Sequence, residues 1–560
     1  MNVGEMQRKL SQWAEQDRNH RFFDLYHLLH DKDWLRLAHD HVKENAGSQT
    51  AGCDDVRMGD FDERLEANLA RLAEDLKAGI FGPQPVKRVY INKANGKLRP
   101  IGISAIRDRI VQEALRMILE PIYEADFSQF SFGFRPNRRT MDAVKYLASN
   151  TIGAKKYYWV IEGDISSYFD SLCQRKLVKL LRRRIKDEKL LRLICKFLRS
   201  GVMEEMLFQP TTSGVSQGSI LSPLLANLYL HELDKFMERH TALTPYQRAC
   251  RRKQGMGNFL YARYADDFAA LCNGTREEAE AMKQELSTFL RTELKLTLSE
   301  EKTKITHLND GFEFLGFRIQ RRRTAQGLKT KILIRSSAKQ KLLEKLKHCT
   351  GSSAHQDSAK TKIQALNRII RGWCQYYQYT SQASTEFSRI QHRLFWMMAH
   401  WLGGKYRISI KEVCQRFRQG NTFAVNGCAL LNPGADFPTR RYTAHVFKPN
   451  PYTHQQIILK REVLPTEEYW PGFEKRVGMA DLRIEVLTRD QFICQICGRH
   501  LTTETAEVDH LKPVRRFKRP VEANTEDNLW TLCQECHQQK TEYDRRMESP
   551  LRGNRARRVR

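Results

Sequence analysis

Acidic side chains at the ends of apolar strands are the first candidates for chemistry. Asp266 and Asp267 lie between Phe259-Leu-Tyr-Ala-Arg263 and Phe268-Ala-Ala-Leu271, both strand-like, so the pair falls at a hairpin turn. Upstream, the apolar strand Trp159-Val-Ile-Glu-Gly163 ends in Asp164. A carboxylate leaving a buried strand is costly unless it reaches an edge or binds a cation. Placed as neighbours in one sheet, the two strands bring Asp164, Asp266 and Asp267 together. Such a trio suits a pair of Mg2+ ions, as in nucleotidyl transfer, where one ion acidifies an attacking hydroxyl and the other holds a triphosphate. Turn propensity alone also explains adjacent acids, and pairing with a nearby arginine such as Arg263 is a metal-free alternative.

A second cluster stands near the end of the chain. Of 13 cysteines, four form the pairs Cys494-x-x-Cys497 and Cys533-x-x-Cys536. In a reducing compartment this spacing reads as a closed tetrahedral zinc site rather than disulfides, and four thiolates leave no open position for a catalytic water. Asp509-His510, Asn528 and then His537 lie between or just after the pairs.

The elements that must position these residues can be read from periodicity. Residues 1–85 are helical in pattern, and Val86–Lys93 and Leu98–Ile103 flank Asn95-Gly96 as a hairpin. A helix over 108–119, limited by Pro121, comes next. Strands over 157–165 and 259–272 then alternate with helices near 175–200, 218–239 and 276–294, an α+β arrangement. The basic window 321–347 is expected to be helical. Ile363, Leu366, Ile370, Trp373 and Tyr377 mark one helix face, a better match to core than to base stacking. Residues 432–472 are irregular, 481–548 form a compact last unit, and a basic tail closes the chain.

The chain has 560 residues, which suggests three to five folding units. Lys and Arg number 94 against 65 acids, a net charge of +29, so a long polyanion is the natural partner. Hydrophobic content of 41% excludes a mostly disordered basic protein, and no apolar run is long enough for a bilayer. The N-terminus lacks a signal-peptide pattern, so a bacterial cytoplasmic or nucleoid location is expected rather than an organelle.

Eight blocks, in order, resemble the group II intron-encoded reverse transcriptases, or maturases: Lys97–Ile103, Asp108–Gln112, Leu119–Tyr123, Phe132–Pro136, Gly214–Gly218, Leu221–Asn227, Tyr264–Asp267 and Phe314–Phe317. The resemblance implies a multidomain α+β chain. It would have a right-hand polymerase with fingers and palm over 86–320, preceded by an N-terminal extension and the start of the fingers over 1–85. A helical thumb (domain X) would cover 321–430, a DNA-binding region or linker 431–480, and a basic tail 549–560. It further implies Asp164, Asp266 and the carbonyl of Ile165 as ligands of two Mg2+, with Asp267 supporting. Lys93 and Arg99 would grip the triphosphate, although a solvated hairpin also accounts for them. Phe169 would be the steric gate or an ordinary core ring, and Gln217 would line the nucleotide pocket. Lys302 would be an acid for pyrophosphate or a surface lysine. Gly214-Val-Ser-Gln217 departs from the commoner Gly-Thr-Pro-Gln without removing a catalytic atom.

Residues 481–548 resemble a zinc-stabilised HNH (ββα-metal) endonuclease. His510 would deprotonate water, Asp509 and His537 would hold Mg2+ or Mn2+, and Asn528 would fix the loop. A zinc ribbon that binds DNA without cutting is the bland alternative. The expected partners are intron RNA, target DNA and dNTPs, with no membrane, in a ribonucleoprotein for which a dimer is one open assembly. The expected activity combines RNA-directed DNA synthesis, splicing assistance and DNA cleavage in retrohoming. A splicing cofactor with an idle polymerase, or a reverse transcriptase of the defence or retron type, are the alternatives.

Overall fold

The computed structural model describes residues 2–45, 47–92, 96, 98–151, 157–204, 207–209, 213–324, 327–351, 356–440, 442, 450–453, 483, 486–499, 501–502, 505–511, 525 and 528–546. Lys93, the tail 549–560 and most of 431–480 lie outside them. The chain divides into two units, Met1–Lys448 and Pro449–Arg560.

In the first unit, residues Val86–Asn92 (β1) and Leu98–Ile103 (β2) form an antiparallel hairpin, from Lys87 opposite Ile103 to Asn92 opposite Leu98. Trp159–Gly163 (β3) belongs to a different sheet. The short strands Val202–Glu204 (β4) and Leu207–Gln209 (β5) extend the hairpin in the order β2-β1-β4-β5. Phe259–Tyr264 (β6), Asp267–Cys272 (β7) and Lys304–His307 (β8) complete the sheet of β3, in the order β6-β7-β3-β8.

That second sheet is apolar on both faces, and the strand period of two divides its side chains between two cores. Ile161, Tyr261, Phe268 and Ala270 join the core that holds the helices Ile106–Glu124 and Ser222–Thr241. Val160, Leu260, Ala262, Ala269 and Leu271 join a second core with the helix Thr140–Asn150 and the later helices. In a sheet buried on both sides a charge away from the strand ends must be paired or hydrogen-bonded, as Arg263 is by Asp234 and Glu162 by Thr306 and the Glu313 N–H. The three acids lie at the strand ends.

Three expectations need correction. Pro121 does not stop its helix, which runs over Ile106–Glu124. A proline withholds its N–H from the carbonyl four residues back, here Met117, and Gln7 Nε2 donates to that carbonyl instead at 2.9 Å. The helix expected near 175–200 is two, Gln174–Leu181 and Glu188–Leu198. Asp187 caps the second by accepting from Lys189 and Leu190 N–H through Oδ1, while its Oδ2 accepts from Leu25 and Tyr26 N–H.

The basic window is helical only in its second half. Phe312–Phe314 (β9), Phe317–Thr324 (β10) and Gly327–Ile334 (β11) form a sheet in the order β11-β10-β9. The helix Ser336–Cys349 begins after it. The β-branched, alternating Lys-Thr-Lys-Ile-Leu-Ile334 of β11 explains the strand. Helices Ala359–Tyr377 and Ala383–Tyr406 pack behind this sheet, and Trp373 stands between Tyr377 and Phe387 as core. Arg418–Gln419 (β12), Thr422–Val425 (β13) and Cys428–Ala429 (β14) make a small meander.

In the second unit, Ala506–His510 (β15) pairs antiparallel with Leu529–Cys533 (β16), and the helix Gln534–Arg546 follows. Among the described residues no helix is long and apolar enough to cross a membrane.

Candidate active sites

β3 and β7 are antiparallel with Gly163 opposite Phe268, so one step further Asp164 stands beside Asp267. β6 and β7 close on the turn at Ala265-Asp266, and Ala265 has φ 58°. The register alone therefore gathers Asp164, Asp266 and Asp267 at one end of the sheet. Burial pushes the Asp267 carboxyl up to about 7, reinforced by Asp266 and by Asp164, which shares a hydrogen bond with it. Burial also raises Asp266, with Asp164 adding to the effect. Carboxyls that suppress one another's ionisation in a half-buried cleft need a proton or a cation between them. Carboxylate oxygens are the donors Mg2+ prefers, while among the described residues the four cysteines alone form a group of three or more with ligand atoms within 4.8 Å of one another.

Cationic groups of the chain surround the trio. Lys302 Nζ donates to Asp164 Oδ2 at 2.7 Å, and that hydrogen bond raises the lysine's pKa. Arg99, on β2, is close enough to lower the pKa of Asp266 electrostatically. Arg263 does not pair with these three acids, contrary to the metal-free alternative, because it faces Asp234.

Ile165 is a buried residue bridging to Leu298, and Ser299 N–H donates to the Asp164 carbonyl at 2.8 Å. Phe169 lies in the short helix Tyr168–Ser171, half-buried, with its ring edge-on to Tyr168. Its carbonyl accepts from Val215 N–H, which ties the helix to the loop carrying Gln217. Gln217 Nε2 donates to Asp170 at 3.2 and 3.3 Å, and its carbonyl accepts from Gly102 N–H. At Gly218, φ is 116° and a Cβ would lie 2.4 Å from the Gly102 carbonyl, so only glycine permits this contact with β2.

In the second unit the Sγ atoms of Cys494, Cys497, Cys533 and Cys536 lie within 4.8 Å of one another. Cys497 and Cys533 are 3.8 Å apart, the edge expected of a tetrahedron with Zn–S bonds of about 2.3 Å. Burial opposes ionisation of Cys494, but backbone N–H groups of Cys497, Cys533 and Ile496 outweigh it and bring its pKa to about 6. Hydrogen bonding to Cys533 holds Cys536 at about 12. Such a division of protons is what crowded thiols show without a dication, so the donor set fits zinc.

Glu507 and Asp509, two apart on β15, share a face that the following helix covers. There His537 Nδ1 contacts Glu507, His537 Nε2 stands 3.9 Å from Asp509, and Lys540 pairs with Asp509 at 2.9 Å. His510 is buried at the end of β15 opposite Leu529, and Leu511 N–H donates to the Asn528 carbonyl at 2.8 Å. The structure thus brings Asp509 to His537 and His510 to the Asn528 end of the hairpin. Glu507 escaped the sequence reading, although its period-two spacing from Asp509 was visible. Asp234 escaped it too, its signal being polarity inside the apolar helix Ser222–Thr241, while Asn227 was seen only as the end of the Leu221–Asn227 block and given no role.

Strands that deliver clustered carboxylates, joined to a helical region and a cysteine-clamped ββα unit, define a multidomain nucleic-acid enzyme. Family profiles match in the same order: reverse transcriptase (RNA-dependent DNA polymerase) over 91–319, group II intron maturase-specific domain over 339–417, and HNH endonuclease over 494–542. Protein YkfC of Escherichia coli is 41% identical over 345 positions, covering 58% of this chain and 91% of that protein. The group II intron-encoded protein LtrA of Lactococcus lactis is 28% identical over 583 positions, covering 91% and 93%. Nuclear intron maturase 1 of Arabidopsis thaliana is 28% identical over 309 positions, covering 41% and 43%. The chain belongs to the group II intron-encoded proteins and carries reverse transcriptase, maturase and HNH endonuclease domains.

Proposed function

We propose that this protein binds its intron RNA, assists splicing, cuts a DNA target with the HNH unit and copies the intron RNA from the resulting 3′ end. The observation that carries the polymerase reading is the convergence of Asp164, Asp266 and Asp267 beside Lys302. In this reading residues 86–320 are fingers and palm of a right-hand polymerase, preceded by an N-terminal extension, and 321–430 are the thumb.

Asp164 and Asp266, with the Ile165 carbonyl, hold two Mg2+ ions and Asp267 supports them. Bound Mg2+ supplies acidification of the primer hydroxyl and charge compensation for the triphosphate. Arg99, with Lys93, grips the triphosphate through charge-assisted hydrogen bonds. Phe169 lies under the sugar and excludes a 2′-hydroxyl, and Gln217, held by Asp170, lines the same pocket. Lys302 neutralises Asp164 before substrate arrives and would then be available to give its proton to the departing pyrophosphate.

For the RNA we assign the β10–β11 hairpin. Arg322 lies directly opposite Lys329, and Arg323 opposite the exposed Leu328. Both strands thus present basic side chains, which can neutralise RNA phosphates. In the HNH unit, four cysteines hold zinc, Asp509 and His537 hold Mg2+ or Mn2+, His510 takes the proton from water, and Asn528 anchors its end of the hairpin.

The test is a reconstitution of the purified ribonucleoprotein with labelled target DNA and dNTPs. The reading expects intron RNA to copurify, and a nick to be extended into intron cDNA. His510→Ala should abolish the nick but leave extension of a supplied primer. Copurification of bulk unstructured message would contradict the maturase part.

A further inference from the structure

Arg263 lies on β6 three residues before Asp266, and its side chain is fully buried. An arginine has five N–H donors, and here each has an acceptor. Nε donates to Asp234 Oδ1 at 2.7 Å, and Nη2 donates to Asp234 Oδ2 at 2.5 Å and to Ser131 Oγ at 2.8 Å. Nη1 donates to Asn227 Oδ1 at 3.0 Å and to the Ala265 carbonyl at 2.8 Å.

The last contact bears on the chemistry. Ala265 is the residue before Asp266, and its φ of 58° is a left-handed conformation that a residue with a Cβ rarely adopts. Such strain persists only where the surroundings over-determine it. Several constraints converge on this turn. Arg263 holds the Ala265 carbonyl. Asn227 Nδ2 donates to the Gly133 carbonyl at 2.8 Å, and a Cβ on Gly133 would lie 2.4 Å from the Ala265 nitrogen. Arg263 N–H donates to the Phe130 carbonyl, and its own carbonyl accepts from Phe132 N–H.

We propose that Arg263, with Asp234 and Asn227, is a positioning device that fixes the Ala265 turn and so sets Asp266 and Asp267 for metal binding. This deepens, and rests on, the polymerase reading above. A buried ion pair is weak evidence for stability, since an apolar replacement of both partners often serves as well. The fork to Ala265 is what an apolar pair could not supply. Asp234 neutralises the guanidinium, and Asn227 links it to the segment that lies against the turn.

The test uses the full-length protein in RNA-templated primer extension, titrated with Mg2+ and with dNTP, beside thermal unfolding. Arg263→Lys keeps a charge for Asp234, but one ammonium cannot span Asp234 and the Ala265 carbonyl together. The half-saturating Mg2+ should rise by about tenfold, as when a residue that orients a metal ligand is removed. The kcat should fall by about a hundredfold, with Mn2+ recovering part of the loss and KM for dNTP unchanged. Asn227→Ala, which leaves the ion pair intact, should move Mg2+ dependence in the same direction by less. If Arg263→Lys fails to fold, Asn227→Ala decides on the same readout. Wild-type Mg2+ dependence, with activity lost only in proportion to unfolded protein, would overturn the proposal. A wild-type protein without RNA-templated synthesis would instead remove the polymerase reading, and this inference with it.

Discussion

Gly163→Ala is the smallest change that should separate Asp164 from Asp267. Gly163 precedes Asp164, and a Cβ there would lie 2.1, 2.4 and 2.5 Å from three ring carbons of Phe268. Phe268 is only 1% exposed and packs against Tyr261 with ring centroids 5.9 Å apart, so the ring has little room to retreat. Either the ring or β3 must move by about 1 Å to restore ordinary contact, and overpacking of this kind costs about 1–3 kcal/mol. Because Asp164 follows Gly163 and Asp267 precedes Phe268, the displacement acts directly on the spacing of the two carboxylates. A shift of about 1 Å at a reacting centre can cost about a hundredfold in rate. Thermal unfolding and single-turnover primer extension on an RNA template would measure both effects. Gly163→Ala with Phe268→Leu should recover part of each loss, since the smaller side chain removes the clash, and a double-mutant cycle would report the coupling. A Gly163→Ala protein as stable and active as wild type, or a cycle with no coupling, would refute the reasoning.

Burial pushes the Asp108 carboxyl up to about 7, and among the described residues its Oδ1 has no hydrogen-bond partner while Oδ2 accepts from Gln84 N–H. A carboxyl raised above its unfolded value of about 3.9 stabilises fully only below that pH, and the contribution is lost as pH rises to about 7, at most about 4 kcal/mol. Asp108→Asn should therefore gain on wild type between pH 5 and 7.5 in denaturant midpoints, and an equal difference at both pH values would contradict this. Among its described residues the second unit buries few apolar side chains beside its cysteines, namely Val486, Leu487, Leu501, Ala506, Leu529 and Leu532, so a zinc ion held by the four thiols would supply much of its folding energy. Cys536→Ala should lose one bound zinc per chain and the protease resistance of that unit, while primer extension persists. Arg322→Glu, on the β10–β11 hairpin, should weaken RNA binding and lower its salt slope by about one to two. An unchanged slope would remove the hairpin from the RNA-binding surface.

The sequence made the acid-bearing hairpin legible because two apolar strands broke at acids and period-two patterning is a strong signal. The cysteine pairs were legible for a similar reason, since metal ligation fixes their spacing. The strand β10–β11 was missed because lysine and arginine favour helices weakly, and the charge of the window masked its alternation. Pro121 was misjudged because its effect on the helix depends on Gln7, a residue far away in the chain. The Arg263 network was illegible for a deeper reason: Ser131, Asn227, Asp234 and Ala265 meet only in space, and a buried arginine resembles any other charge in a strand.

The most direct test of the central claim is RNA-templated DNA synthesis by the purified protein, with Mg2+ supplied and Asp266→Ala compared at equal folded concentration. The account predicts primer extension with deoxynucleotides by the wild type, none without Mg2+, and a loss of at least about a thousandfold in the variant. Equal extension by both proteins would show that Asp164, Asp266 and Asp267, though gathered at one sheet end, do not carry the chemistry.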